Sequence, residues 1–540
     1  MFNNALLMAA AASGDSLVTV GNSALFDDGN SEYLSRTPSS AGNLRKWTLS
    51  LWAYRGDLGT GEFKLWSAIN GSNFDMVAFT GNQLGIEINT STSSSNSLRS
   101  TALFRDIGWY HIVVVWDSDN TVATNRIRAW VNGERITSWG TSNFPGSAGV
   151  NSLTNSTVLH TLGAKANVSQ YFDGYLAESV LIDGLALEPT SFGQYDSTGT
   201  FWTPLSSATI KGLTFGTNGF YLDNTTNAQT DASGEGNNFT NNNTVTTTAL
   251  MSPTQLPRLL WNPLSPLFIA TLSQGNTKTA STGGVHEGAF ANTNFPKTGK
   301  WQTEVLVDVS GSSSAIVSFA IMKNLSSESL NQYIGDNSDA YGFYVYPTNQ
   351  TFYSGTSALF ATGSVARSTF KYQICWDASS GDGTADVYFG IDNTFYDNDG
   401  STDGNPATGA NPTIENLDIS TSEWSLLGIP YNVGTLQTAD EDDWEYSIQS
   451  GYTALNLTNI VEQTTRTHSN LEEYFSPILY EGNGAIQRVG QFLPFTNSFT
   501  VANSALFNTA NEEYFSRTFE TPTDQDVWSL SWWMKTGNNG

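Results

Sequence analysis

The sequence predicts an all-β protein built from antiparallel β-sandwiches in tandem, and three observations predict it. Charged residues are only 14% of the chain while Gly (49), Trp (16), Tyr (21) and Phe (30) are plentiful, a balance that suits aromatic-rich strands joined by small-residue turns. Short apolar or alternating runs recur along the chain and helical periods are few, which is the strand signal. Asn-Gly and Asp-Gly pairs punctuate those runs and are turn formers.

At 540 residues the chain is too long for one core and divides into domains. Residues 1–14 read as an N-terminal segment, 15–210 as a first sandwich, 211–284 as a connector with little regular structure, 285–460 as a second sandwich, 461–497 as a linker and 498–540 as the start of a further module. The apolar stretch Ala5 to Ala12 imitates a secretion signal, but no Lys or Arg precedes it, so a retained segment is expected.

In the first sandwich, strands are expected at Trp47–Tyr54, Tyr110–Trp116, Arg126–Val131 and Tyr171–Val180. Asn132-Gly133 tolerates the positive φ angles of a type I′ turn, so Glu134–Thr137 should run back along the strand before it. The second sandwich is expected from Gly299–Val307, Tyr341–Tyr346 and Asp386–Ile391, each an alternating or aromatic run. Residues 19–52 align without a gap onto 500–533 with 17 identities in 34 positions, so one module begins twice. The second copy has only residues 500–540, and a module left unfinished there is the expectation.

Lys plus Arg total 23 against 50 Asp plus Glu, a net charge of −27, which repels phosphate backbones and anionic lipid. Nucleic acid is excluded as a partner class, and no apolar run approaches the roughly 20 residues that span a bilayer. Cys375, the one cysteine, lies in an apolar run and is expected as an inert core residue.

Glu441-Asp-Asp-Trp-Glu445 is the sharpest enzyme candidate, because on a strand Glu441, Asp443 and Glu445 would share one face, as paired glycosidase carboxylates must. Asp442 takes the place of the apolar residue such a strand buries, and the acidic run reads as a solvated turn. Asp397–Gly404 imitates a calcium loop but lacks the Gly at position 6 combined with an acid at position 12. His111, His160, His286 and His468 are scattered and form no cluster.

Trp109-Tyr-His-Ile-Val-Val-Val-Trp116 followed by Ile127-Arg-Ala-Trp-Val-Asn-Gly133 resembles the laminin-G-like jelly roll of the concanavalin-A superfamily. Tyr171–Ala177, Ile182–Leu187 and Ser191–Gly193 look like the version found in marine phage proteins. Ser252-Pro253-Thr254 is similar to the connector of those proteins, with Gln255 and Leu256 departing from its pattern. Trp301 with Glu304, Tyr388-Phe-Gly390 and Gly451–Asn456 resemble a SPRY-type sandwich.

What the resemblance implies is a non-enzymatic structural protein of the virion, in a phage tail or fibre, that contacts other virion proteins and a host-surface glycan, with the oligomeric state left open. It also implies calcium (Ca2+) near Asp27, Asp28 and Asp173, positions that a tight turn explains equally well. The alternatives are a polysaccharide-cleaving hydrolase of the jelly-roll class and an adhesin on a bacterial cell surface.

Overall fold

The computed structural model describes residues 20–460 except 60, 91–95, 106–107, 167–168, 196–201, 250, 255–257, 264–269, 282, 324–331, 347–348, 363–367, 440 and 457–458. The repeat copy at 500–533, the expected unfinished module, the linker expected at 461–497 and the N-terminal segment lie outside the described residues. Among the described residues no helix is long and apolar enough to cross a membrane.

Two antiparallel β-sandwiches follow one another, as expected. In the first, one sheet runs Glu134–Arg135, Ile127–Val131, Trp109–Asp117, Lys46–Arg55, Gly174–Asp183, Ser23–Phe26, Thr246–Thr248 in order of hydrogen-bonded neighbours. The facing sheet runs Trp139–Asn143, Ser97–Leu103, Gln83–Thr90, Asn73–Thr80, Glu62–Asn70, Leu159–Leu162, Tyr33–Arg36, Thr240–Asn242. Leu49, Leu51, Trp66, Val77, Phe79, Ile86, Ile112 and Val114 close the core between them. Asn132 (φ 51°) and Gly133 (φ 79°) take the expected turn, and Glu134 pairs with Val131.

The stretch 211–284 differs from expectation. Phe220–Leu222 pairs with Gly174–Asp183, Thr246–Thr248 with Ser23–Phe26, and Thr240–Asn242 with Tyr33–Arg36, so most of this connector completes the first sandwich. The physical reason is visible in Trp109–Asp117, which is apolar at nearly every position and buried on both faces. Its outward residues Val113 and Val115 need a cover, and Phe192, Ile210, Phe215 and Tyr221 supply it. The strand expected at Tyr171–Val180 begins at Gly174 and runs to Asp183, with a bulge at Ala177/Val180 where Glu178 takes φ 49°.

The second sandwich also starts earlier than expected, with the hairpin Thr271–Ser273 and Lys278–Ala280. That hairpin joins Thr435–Thr438, Gly299–Asp308, Thr369–Ala378, Thr384–Ile391 and Thr394–Tyr396 in one sheet. Ala289–Asn294, Trp424–Tyr431, Ile316–Lys323, Ala340–Tyr346, Asn349–Ser354 and Ser357–Ala361 form the other. Trp261, Trp301, Phe319, Phe343, Trp376 and Trp424 fill the space between. Cys375 is fully buried and burial pushes its thiol well above the usual range, which makes it inert.

Candidate functional site

The structure brings Asp27, Asp28 and Asp173 together, with carboxylate oxygens within 4.8 Å of one another. Asp27 and Asp28 open the turn after Ser23–Phe26, and Asp173 ends the loop before Gly174–Asp183. The turn is self-braced: Asp27 Oδ1 accepts the Gly29 N–H (2.9 Å), Asp27 Oδ2 accepts from the Asn30 amide (2.9 Å), and Glu32 Oε2 accepts the Asp27 N–H (3.0 Å). Asp27 and Asp173 are buried and Asp28 is half-buried.

Burial, then the neighbouring Asp28, Asp27 and Asp57 carboxylates, holds Asp173 well above the usual carboxylate range. Burial, Asp57 and Asp27 raise Asp28 in the same way. Burial likewise pushes Glu32 up to about 7. Asp173 Oδ2 is buried with no hydrogen-bond partner, which is costly for a carboxylate oxygen. An all-oxygen donor set with excess negative charge and an orphaned oxygen fits a hard cation such as Ca2+.

The acidic run at 441–445 does not lie on a strand. Glu441–Asp443 form a short 3-10 turn with Glu441, Asp443 and Glu445 exposed, so the shared face that the strand reading requires is missing. In the other acidic run, Asp397 and Asp399 each accept the Ser401 N–H at 2.9 Å, which accounts for the pattern as a turn.

Sequence spacing gave no sign of a Ser–His contact, yet Ser50 Oγ lies 2.9 Å from His111 Nε2. The tautomer excludes a hydrolytic pair. Trp202 Nε1–H donates to His111 Nδ1 at 2.8 Å, so the ring proton sits on Nε2 and points at the serine. His111 also stacks on Trp52 (4.7 Å), and burial lowers it to about 3.

A pair of glutamates on the outward face of the 62–70 sheet was equally unsignalled. Lys64 Nζ holds Glu62 at 2.9 Å and Arg99 holds Glu87 at 3.1 Å, so each carboxylate is already neutralised by a neighbour.

Of the described tryptophans only Trp139 and Trp444 escape burial, one from each sandwich, so no cluster of tryptophans forms a stacking surface among the described residues. Tyrosine takes that place on the second sandwich. Tyr344 and Tyr353 are diagonal neighbours on adjacent strands, on the face opposite Phe343 and Phe352, which enter the core. Tyr431 ends a third strand, and Tyr333 and His286 come from loops over the same face.

The rings form one connected group: His286–Tyr431 at 4.6 Å, His286–Tyr333 at 6.2 Å, Tyr333–Tyr344 at 5.1 Å, Tyr333–Tyr353 at 5.8 Å and Tyr344–Tyr353 at 6.4 Å. All five side chains are half-buried above a floor of Phe290, Ala320, Met322, Ile334, Leu427 and Ile429. Val285, Tyr346 and Val433 lie exposed. Burial lowers the His286 imidazole below its usual range, against the opposite pull of Asp336.

Residues 28–191 match the family described as the Concanavalin A-like lectin/glucanases superfamily, which agrees with the sandwich they form. No curated protein matches the chain. Among solved structures, a putative carbohydrate binding protein from Bacteroides ovatus is similar at 14% identity and TM-score 0.30, over 44% of this chain and 62% of that one. Domains LG4-5 of the mouse laminin alpha1 chain are similar at 8% and 0.24 over 79% and 92%, and the SPRY domain of human HERC1 at 13% and 0.23 over 32% and 92%. At these scores the likenesses assign neither ligand nor activity to this chain.

Proposed function

We propose that this chain is a non-enzymatic, carbohydrate-binding structural protein of a virus particle, of the tail or fibre kind, that contacts other virion proteins and takes glycans of the host-cell surface. The tyrosine platform carries the reading. A sugar ring offers a face of C–H groups and a rim of hydroxyls, and tyrosine answers both with an apolar ring and a polar tip. The net charge of −27 disfavours acidic polysaccharides and points to neutral ones.

The lectin/glucanase family match of residues 28–191 supports a saccharide ligand. The non-enzymatic part is supported by the closed Ser50–His111 pair, the cation-bound Glu62 and Glu87, and the exposed turn at 441–443. The virion setting is supported by the phage-like stretch 171–193 and the repeated opening at 19–52 and 500–533. We also infer that Asp27, Asp28 and Asp173 hold a calcium ion, which would supply the positive charge that corner lacks.

An array of neutral host-surface polysaccharides tests the function. The full chain should be retained on at least one of them and should release no reducing ends from it. Retention of none, or cleavage of any, would overturn the proposal.

A further inference from the structure

The acidic corner of the first sandwich is roofed by the second. The hairpin Thr271–Ser273/Lys278–Ala280 turns through Gln274, Gly275 and Asn276, all in the left-handed region at φ 54°, 61° and 70°. Its Gly275 N–H donates to Asp173 Oδ1 at 3.4 Å. Gly275 lies so close over Tyr175 that a Cβ would come within 2.3 Å of the ring. On the far side, a Cβ at Gly56 would meet Asp173 Oδ2 at 2.2 Å and Gly275 Cα at 3.2 Å. Both glycines are what allow the two backbones to close on one carboxylate.

The turn is anchored in its own sandwich, because the Asn276 carbonyl accepts the N–H of the core residue Trp261 at 2.9 Å. Closing it buries Asp173 beside three other carboxylates and leaves Oδ2 with no partner. Such a contact is costly unless the charge is answered by a proton or by a cation, and the unpartnered Oδ2 leaves a place for either.

The repeat adds an independent observation. Where the first copy has Asp27 and Asp28, the second has Asn508 and Thr509, although Asn22–Phe26 recur intact as Asn503–Phe507. The module's opening therefore does not require these two carboxylates. What the structure puts beside them in the first copy is the turn of the second sandwich.

We propose that a hard divalent cation held by Asp27, Asp28 and Asp173 latches the Gln274–Asn276 turn, so that the metal locks the two sandwiches together. The proposal rests on the calcium reading above and goes beyond it. Asp173 is the shared part: Oδ1 holds the turn and Oδ2 is the oxygen left for the cation. By linkage, whatever factor the cation adds to docking, docking adds to cation affinity.

The test uses the full chain and the metal alone. Hydrogen exchange in CaCl2 against EDTA should slow roughly tenfold in calcium at the 271–280 amides, and calorimetric titration should show Gly275→Val binding calcium with unchanged stoichiometry but about tenfold more weakly. If the wild type binds calcium while the 271–280 amides exchange at the same rate with and without it, the latch is refuted and the metal site stands. Equal affinity in a folded Gly275→Val refutes it too. If the wild type takes up no calcium at millimolar concentration, the metal reading and the latch fall together. The exchange measurement needs no variant, so it decides even if Gly275→Val does not fold.

Discussion

Replacing His111 by Leu should destabilise the first sandwich at neutral pH and do so progressively less as the solution is acidified. At pH 7.5 the substitution strands two buried groups, the Trp202 Nε1–H and the Ser50 hydroxyl. At 1–3 kcal/mol for each unsatisfied polar group, the loss is about 3 kcal/mol.

Acid erodes the wild-type advantage. His111 titrates near 6.5 when unfolded and at about 3 when folded. Below pH 6.5 the unfolded chain therefore takes up a proton that the folded one refuses, and wild-type stability falls by about 1.4 kcal/mol per pH unit. By pH 4.5 that amounts to about 3 kcal/mol, so the two proteins should be equally stable near there. His160, also lowered by burial to about 4, and the raised carboxylates are present in both proteins and cancel in the difference. Urea unfolding followed by hydrogen exchange at the Trp109–Asp117 amides isolates this sandwich. A stability gap that stayed constant from pH 7.5 to 4.5 would refute the assignment of a buried, neutral His111.

The same outer layer yields two further expectations. A Cβ at Gly133, which has φ 79°, would stand 2.4 Å from the Trp202 ring, so Gly133→Ala should cost about 2 kcal/mol and shift the near-ultraviolet circular dichroism of that tryptophan. Burial raises Glu178 to about 7, with Tyr221 donating a hydrogen bond to it. The folded form thus keeps its proton to higher pH than the unfolded one, and this contribution, full below about pH 4.5, is lost as pH rises to about 7. Glu178→Gln should therefore melt as the wild type does at pH 5 and be about 2 kcal/mol more stable at pH 8; a variant less stable at pH 8 would show that the ionised carboxylate is needed.

How much of this was legible in the sequence depends on how local each signal is. Strands such as Lys46–Arg55 and Trp109–Asp117, and the turn at Asn132-Gly133, follow from side-chain pattern within a dozen residues. The grouping of Asp27, Asp28 and Asp173 came from a family resemblance, and the pairing of Ser23–Phe26 with Gly174–Asp183 is what brings it about. Phe220–Leu222, Thr240–Asn242 and Thr246–Thr248 are three residues each, too short to show a period, and the partners of the last two lie about two hundred residues away.

The tyrosine platform was hidden for another reason. Its five rings come from separate strands and loops between 286 and 431 and meet only through sheet pairing. One trace was available: Tyr344 and Tyr346 alternate with Phe343 and Val345, which places tyrosine and core residues on opposite faces. Contact between Gly275 and Asp173 had no trace at all, because it joins one domain's turn to another's loop.

The central claim is that the tyrosine face of the second sandwich binds sugar. Saturation-transfer difference NMR tests it most directly, with an oligosaccharide from the retained polysaccharide and with the wild type, Tyr344→Ala and Asp173→Asn. Saturating the protein's aromatic protons should light up the C–H protons on one face of the sugar in the wild type and in Asp173→Asn, and the signal should vanish in Tyr344→Ala. Signal kept by Tyr344→Ala and lost by Asp173→Asn would contradict the account and move the sugar to the acidic corner.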